Sequence, residues 1–161
     1  MPQPPLRFPA PNSRLAAIAL CLATWAGLGL ATAQDKTPVG VVKTVKGVAT
    51  VTTGGQVVKA QPGTPLHQGS ELKTEAEASL GVIFGDNTLM SFGPNTELTV
   101  EEYLYEPAAG KLKLGARMSK GTLNYVSGAI AKLQPEAVTV KTPSGMIGVR
   151  GTQFLLKVDE P

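Results

Sequence analysis

The chain has 161 residues, 42% of them hydrophobic and 17% charged, with 15 Lys and Arg against 12 Asp and Glu. One cysteine excludes a disulfide framework, and a net charge of only +3 gives no reason to expect nucleic-acid or membrane-surface binding.

The first 33 residues read as an export signal. Arg7 and Arg14 form a positive flank, residues 15–30 (LAAIALCLATWAGLGL) are uncharged and apolar, and Ala31-Thr32-Ala33 supplies the small-x-small cleavage pattern. The same stretch also approaches the lower length of a membrane anchor, about 17 residues, but Gly27, Gly29 and the alanine-rich end favour cleavage after Ala33. Cys21 lies mid-segment behind Leu20, which argues against a lipoprotein. Cleavage takes away 33 of the 161 residues, leaving 128; Arg7 and Arg14 go and no acid does, so the charge falls by two, from +3 to +1. Cys21 and Trp25 leave as well, so an exported domain must rest on its apolar core alone. The expected organisation is a signal peptide over 1–33, a linker over 34–38, one all-β domain over 39–158 and a tail over 159–161, with no transmembrane span in the mature chain.

Beyond the linker, short β-like runs alternate with turn residues. Strands are expected over 39–45, 48–53 and 56–59, the last two joined by Gly54-Gly55, whose tolerance of positive φ suits a tight hairpin. Gln61-Pro62-Gly63 marks a turn, and 75–78 has room for one helical turn. SLGVIF puts Leu80, Val82 and Phe84 on one face, the period of two of a half-buried strand. Gly85-Asp86-Asn87-Thr88 reads as another hairpin loop before a strand over 88–92, and Gly93-Pro94-Asn95 as a turn before Leu98 and Val100. YLYEPAAG, residues 103–110, is the least strand-like internal stretch and is expected to be a surface excursion. In KLKLGARM, Leu112, Leu114, Ala116 and Met118 oppose Lys111, Lys113 and Arg117. Strands over 122–126 and 138–142 follow, with a single helical turn between them at 129–133, and QFLLKV closes the series with Phe154, Leu156 and Val158 on one face. About ten short strands with many glycine corners fit a sandwich, a barrel or a twisted solenoid, without an exact repeat.

The order of these features resembles the FecR domain. The matching pieces are VKGVATV, PGTPLHQGSELKTEAEASLGVIFGDNTLMSFGPNTELTV, KLKLGARMSKGTLNYVSG and VKTPSGMIGVRGTQFLLKV, together about residues 39–158. The resemblance implies a twisted, solenoid- or roll-like all-β module. It further implies a periplasmic location and an envelope protein as partner. In the family's transmembrane regulators the domain lies between a cytoplasmic anti-sigma segment and a partner of the outer-membrane receptor. Here only fourteen residues precede the apolar stretch and no further domain is expected after Pro161, so anti-sigma activity is not carried over. The residues single out no partner identity, no partner-binding residue and no oligomeric state.

No enzymatic chemistry is expected. Gly145, Gly148 and Gly151 repeat at every third position, but no lysine follows and the next segment is strand-like, so a phosphate loop fails on spacing and on context. The glycines are expected to allow sharp bends and close backbone contact. Arg150 between them can tie loop carbonyls or a carboxylate such as Glu71 or Glu136, or can meet a partner. His67 with Ser70 and Asp86 outlines a nucleophilic triad, but Ser70 lacks a strained elbow. With His67 the only histidine, no metal site or cofactor is expected. Glu97, Glu101 and Glu102 offer the paired acids of a glycosidase, against the blander reading of a charged outer strand face with Glu97 and Glu101 side by side. Tyr103 and Tyr105 on one face either cover the core or stack a ligand. The leading reading is a non-enzymatic, sensor-like binding module using an exposed strand face or edge; a glycan- or peptidoglycan-binding module with Tyr103, Tyr105 and Tyr125 as stacking platforms is the alternative, and a hydrolase the remote third.

Overall fold

The computed structural model describes residues 37–159, which belong to one compact unit, Asp35–Pro161. The expected signal segment, and with it the proposed cleavage at Ala33, lies outside the described residues.

Twelve strands form one curled sheet, almost entirely antiparallel. The long strand β9 (Lys111–Val126) runs through both of its halves. Its first part lies between β8 (Glu97–Glu106) and β10 (Val138–Thr142), and β10 is the one parallel partner among the described strands. Beyond β8 come β5 (Glu71–Thr74), β2 (Ala49–Thr53) and β3 (Gln56–Lys59); beyond β10 comes β11 (Gly145–Gly148). The second part of β9 lies between β7 (Leu89–Phe92) and β12 (Gln153–Val158), and β7 leads on to β6 (Ser79–Phe84), β1 (Gly40–Lys46) and the two-residue β4 (Pro65–Leu66).

Because side chains alternate between faces, strand register lines them up in rows across the sheet. In the β9–β7–β6–β1 half, Tyr125, Met90, Val82 and Val42 form one inner row, and Leu123, Phe92, Leu80 and Val45 the next. In the other half Met118, Leu98, Leu72 and Val51 do the same, and the row runs out at the edge with the exposed Val58. These rows merge into a single core that also takes in Ile130 from the short helix α1 (Ala129–Leu133). The all-β expectation is correct, and so is the helical turn at 129–133.

Two differences from the sequence reading have one cause. Residues 103–106 are not an excursion: they continue β8, and the chain leaves the sheet only for a single 3-10 turn at Pro107–Ala109, closed by Gly110 at φ 66°. The register shifts between Val100 and Glu102, so Glu101 is the extra residue of a β-bulge. A bulge reverses parity: Leu98 and Val100 face the core before it, Tyr103 and Tyr105 after it. A second shift, between Glu97 and Leu98 opposite Lys120 and Met118, reverses β9 likewise, from Met118 to Leu123 and Tyr125. The two expected strands at 111–118 and 122–126 are therefore one. The 75–78 stretch is a turn with Glu77 at φ 61°, not a helical turn.

Candidate functional site

The residues of the imagined triad do not meet: Ser70 and Asp86 are engaged elsewhere, and the buried Nδ1 of His67 has no hydrogen-bond partner. The Ser70 hydroxyl shares a 2.6 Å hydrogen bond with that of Thr53 and accepts the backbone N–H of His67 at 2.9 Å, not the imidazole. Asp86 is fully buried. Its carboxylate accepts the Thr88 hydroxyl at 2.7 Å, the Thr88 N–H at 3.2 Å, and the N–H of Ile130 in α1 at 3.1 Å. A buried charge needs such partners, and here they tie the β6–β7 turn to the helix start. Among the described residues no three His, Cys, Asp or Glu cluster as metal ligands would.

The glycine repeat serves backbone geometry, with one correction. Gly145 to Gly148 are strand β11, paired with β10 from Thr142↔Gly145 to Thr139↔Gly148. A Cβ at Gly145, Gly148 or Gly151 would meet open space, so close backbone approach is not the reason for glycine there; Gly151, at φ 138°, needs it for conformation. Arg150 is exposed and pairs with neither Glu71 nor Glu136; Glu71 meets Lys73 at 3.0 Å instead.

The acids form a charged outer face. Glu97 lies 3.6 Å from Lys73 and 3.7 Å from Lys120. Glu101 bridges two strands, receiving Arg117 Nε at 2.6 Å and Lys141 Nζ at 2.8 Å. Lys141 foremost holds the Glu101 carboxyl below the usual range, and Arg117 adds to it against the opposing effect of burial. A lowered carboxylate pKa adds stability above the unfolded value, about 4.3, and that stability is lost as pH falls through the lower folded value. Glu101→Gln should therefore cost about 0.5–1 kcal/mol at pH 7. The difference from wild type should be full at pH 7 and shrink progressively as pH falls below the unfolded value, about 4.3; urea midpoints at pH 7 and at successively lower pH check it.

Two of the three stacking candidates are used inside. Tyr103 stacks on Phe84 with ring centroids 5.6 Å apart, and its hydroxyl accepts the Asp86 N–H at 2.9 Å. Burial, then the neighbouring Asp86 carboxylate, pushes that phenol well above its ordinary pKa. Tyr125 is fully buried, stacked on Phe154 at 4.9 Å, and burial raises its phenol too. Tyr105 is half-buried against the core edge.

What stays open is sheet edge. Among the described strands β3 pairs only with β2, β11 only with β10, and β12 only with β9. On β3 every residue is exposed, Val57 at 63% and Val58 at 41%. Gly54 (φ 59°) and Gly55 (φ 84°) make a two-residue hairpin closed by Thr53↔Gln56. By the alternation of an antiparallel ladder, Val57 and Lys59 then turn their backbone N–H and C=O groups outward. An unpaired row of this kind is a template for another strand. Sequence reading named the contact mode but not these residues, because a strand's missing neighbour is a long-range fact; the only local hint is two adjacent valines in a short run after Gly54-Gly55.

No helix among the described residues is long and apolar enough to cross a membrane. Searches of curated proteins and of solved structures find no match. Comparison with known families matches residues 70–161 to the family described as FecR protein. The match begins at Ser70, just before β5, and takes in β5 to β12 together with α1, hence both halves of β9. It covers more than half of the chain, and the chain belongs to the FecR family.

Proposed function

We propose that this FecR-family chain is an exported, non-enzymatic binding module of the periplasm that takes part in envelope signalling by contact with an envelope protein. The basic, apolar and small-x-small order of residues 1–33 supports export and cleavage. The observation that carries the binding reading is the open β3 edge, which offers outward backbone groups flanked by the exposed Val57 and Val58. A partner adding one strand there gains ladder hydrogen bonds and covers both valines.

The test is affinity capture from periplasmic extract with wild type and with Val57→Pro. Proline at that position removes an outward N–H and leaves the β2 ladder whole. The expected result is a partner retained by wild type and lost by the variant at unchanged melting temperature. Capture equal for both refutes the edge, and no specific capture refutes the reading. With Tyr103 and Tyr125 packed inside, glycan stacking is left with Tyr105 alone, so sedimentation with peptidoglycan should retain little protein; strong retention would favour the glycan-binding alternative.

A further inference from the structure

The open strand edges differ in charge. β11 carries no charged side chain, and on β12 Lys157 is met by Asp159 at 2.8 Å. On β3, Lys59 is exposed and has no ion-pair partner among the described residues. Strand register shows how that comes about. Lys120, Glu97, Lys73, Thr50 and Lys59 form one outer row across β9, β8, β5, β2 and β3. Within it Glu97 lies 3.7 Å from Lys120 and 3.6 Å from Lys73, and Glu71 lies 3.0 Å from Lys73. This pairing of opposite signs stops at Thr50, so the row reaches the sheet edge on a cation with no acid beside it. The next outer row ends at Val57, and the inner row between the two ends at Val58.

We infer that the segment received at the β3 edge is acidic: an antiparallel strand with Asp or Glu opposite Lys59, then an apolar residue opposite Val58, then a β-branched residue opposite Val57. The inference rests on strand addition at β3 being how the protein meets its partner, and it names the chemistry of what is added. Val57 and Lys59 turn their backbone groups outward, so each makes a closed hydrogen-bonded pair with an antiparallel neighbour; a parallel one would slant those bonds. Antiparallel addition also continues the pairing of β8, β5, β2 and β3.

Backbone bonds accept any strand, and side chains select among them. An acid opposite Lys59 supplies the charge that the row lacks, whereas Lys or Arg there would set like charges directly across the ladder. Opposite Val58, 41% exposed, an apolar side chain extends the core row of Leu98, Leu72 and Val51 and takes its surface out of water. Opposite Val57, 63% exposed, a branched side chain packs best on the pleated surface. A second copy does not supply this segment. Among the described residues the order acid, apolar, β-branched occurs at Glu97-Leu98-Thr99 and at Glu136-Ala137-Val138, and there Leu98 and Val138 are buried in the chain's own core.

Panning a displayed library of random peptides against the wild-type protein and its variants tests this. Wild type should enrich peptides with Asp or Glu two places before Val, Ile or Thr and an apolar residue between them. At the first position acids should outnumber Lys and Arg by about two- to tenfold, the range expected of a cross-strand charge pair. Lys59→Glu should invert that preference and Lys59→Ala should abolish it, both keeping the two apolar positions. Peptides that are lost with Val57→Pro yet indifferent to the charge at residue 59 overturn the inference and leave the edge standing. Binding that survives Val57→Pro, or no enrichment at all, overturns the edge reading and the inference with it. If Lys59→Glu fails to fold, Lys59→Ala still decides.

Discussion

Asp86→Ala should unfold the protein more readily than almost any other single side-chain truncation, costing about 3–5 kcal/mol. The carboxylate is fully buried and accepts two N–H groups and one hydroxyl, with the Tyr103 hydroxyl a further 3.4 Å contact. Hydrogen bonds to a charged acceptor contribute about 1.5–3 kcal/mol each, and a buried N–H left without a partner costs about 1–3 kcal/mol. Alanine strands the N–H groups of Thr88 and Ile130 where Gly128 leaves no room to rearrange: a Cβ at Gly128 would come 2.5 Å from the Asp86 carbonyl. At about 4 °C per kcal/mol for a domain of this size, the thermal midpoint should fall by about 10–20 °C. Hydrogen exchange adds a readout that separates this from general loosening. The Ile130 amide, bonded only through Asp86 at the start of α1, should lose protection before the core strands do. Asp86→Asn keeps one acceptor oxygen but sets an NH₂ against an N–H or hydroxyl donor, so it should recover only part of the loss. A midpoint within a few degrees of wild type would show that the turn and helix are held by packing instead.

Asp86 also shows where sequence reading stops. Gly85-Asp86-Asn87-Thr88 is legible as a hairpin loop, and Asn87 does take φ 65°. The Asp-x-Thr spacing even hints at the local bond from the Thr88 N–H to the carboxylate. Its reach to Ile130, 44 residues on, depends on β7 and β9 pairing first. Strands β1, β2, β3, β6, β7, β10 and β12 were legible for a local reason, a run of alternating branched residues ended by glycine, proline or asparagine. β5 was missed because four residues, Glu-Leu-Lys-Thr, hold one apolar side chain. β11 was hidden because glycines that read as a turn here begin and end a paired strand. The bulge at Glu101 was invisible because it reverses parity inside a run whose two ends each obey the rule. The charged outer face of Glu97 and Glu101 was foreseen from alternation alone. The open edges were not, since each depends on which strands become neighbours.

Gly121→Ala should be comparably severe, for a reason no contact of the wild-type side chain reveals. Gly121 lies at φ +100°, a conformation that L residues rarely adopt, and a Cβ there would collide with the Cα, Cβ and Oγ1 atoms of Thr96, which is buried. Thr96 cannot step aside. Its hydroxyl donates to Gly93 O at 2.9 Å and accepts the Thr122 N–H at 3.0 Å, while its own N–H donates to the Thr74 hydroxyl at 2.9 Å. The Thr74 hydroxyl in turn donates to the same Gly93 carbonyl at 2.7 Å. This knot joins β5 and the turn before β8 to the point where β9 passes from one half of the sheet to the other, so relief at Thr96 must be taken from the register of β8. Backbone strain of about 1–3 kcal/mol and overpacking of about 1–3 kcal/mol put the cost at roughly 3–5 kcal/mol. Gly54→Ala is the control: its φ is +59°, but a Cβ there meets nothing within 4 Å, so only the conformational part remains, about 1 kcal/mol. Urea denaturation of the two variants side by side separates collision from strain. Equal losses would mean that Thr96 yields freely, and that the joint between the halves of the sheet is softer than its hydrogen bonds require.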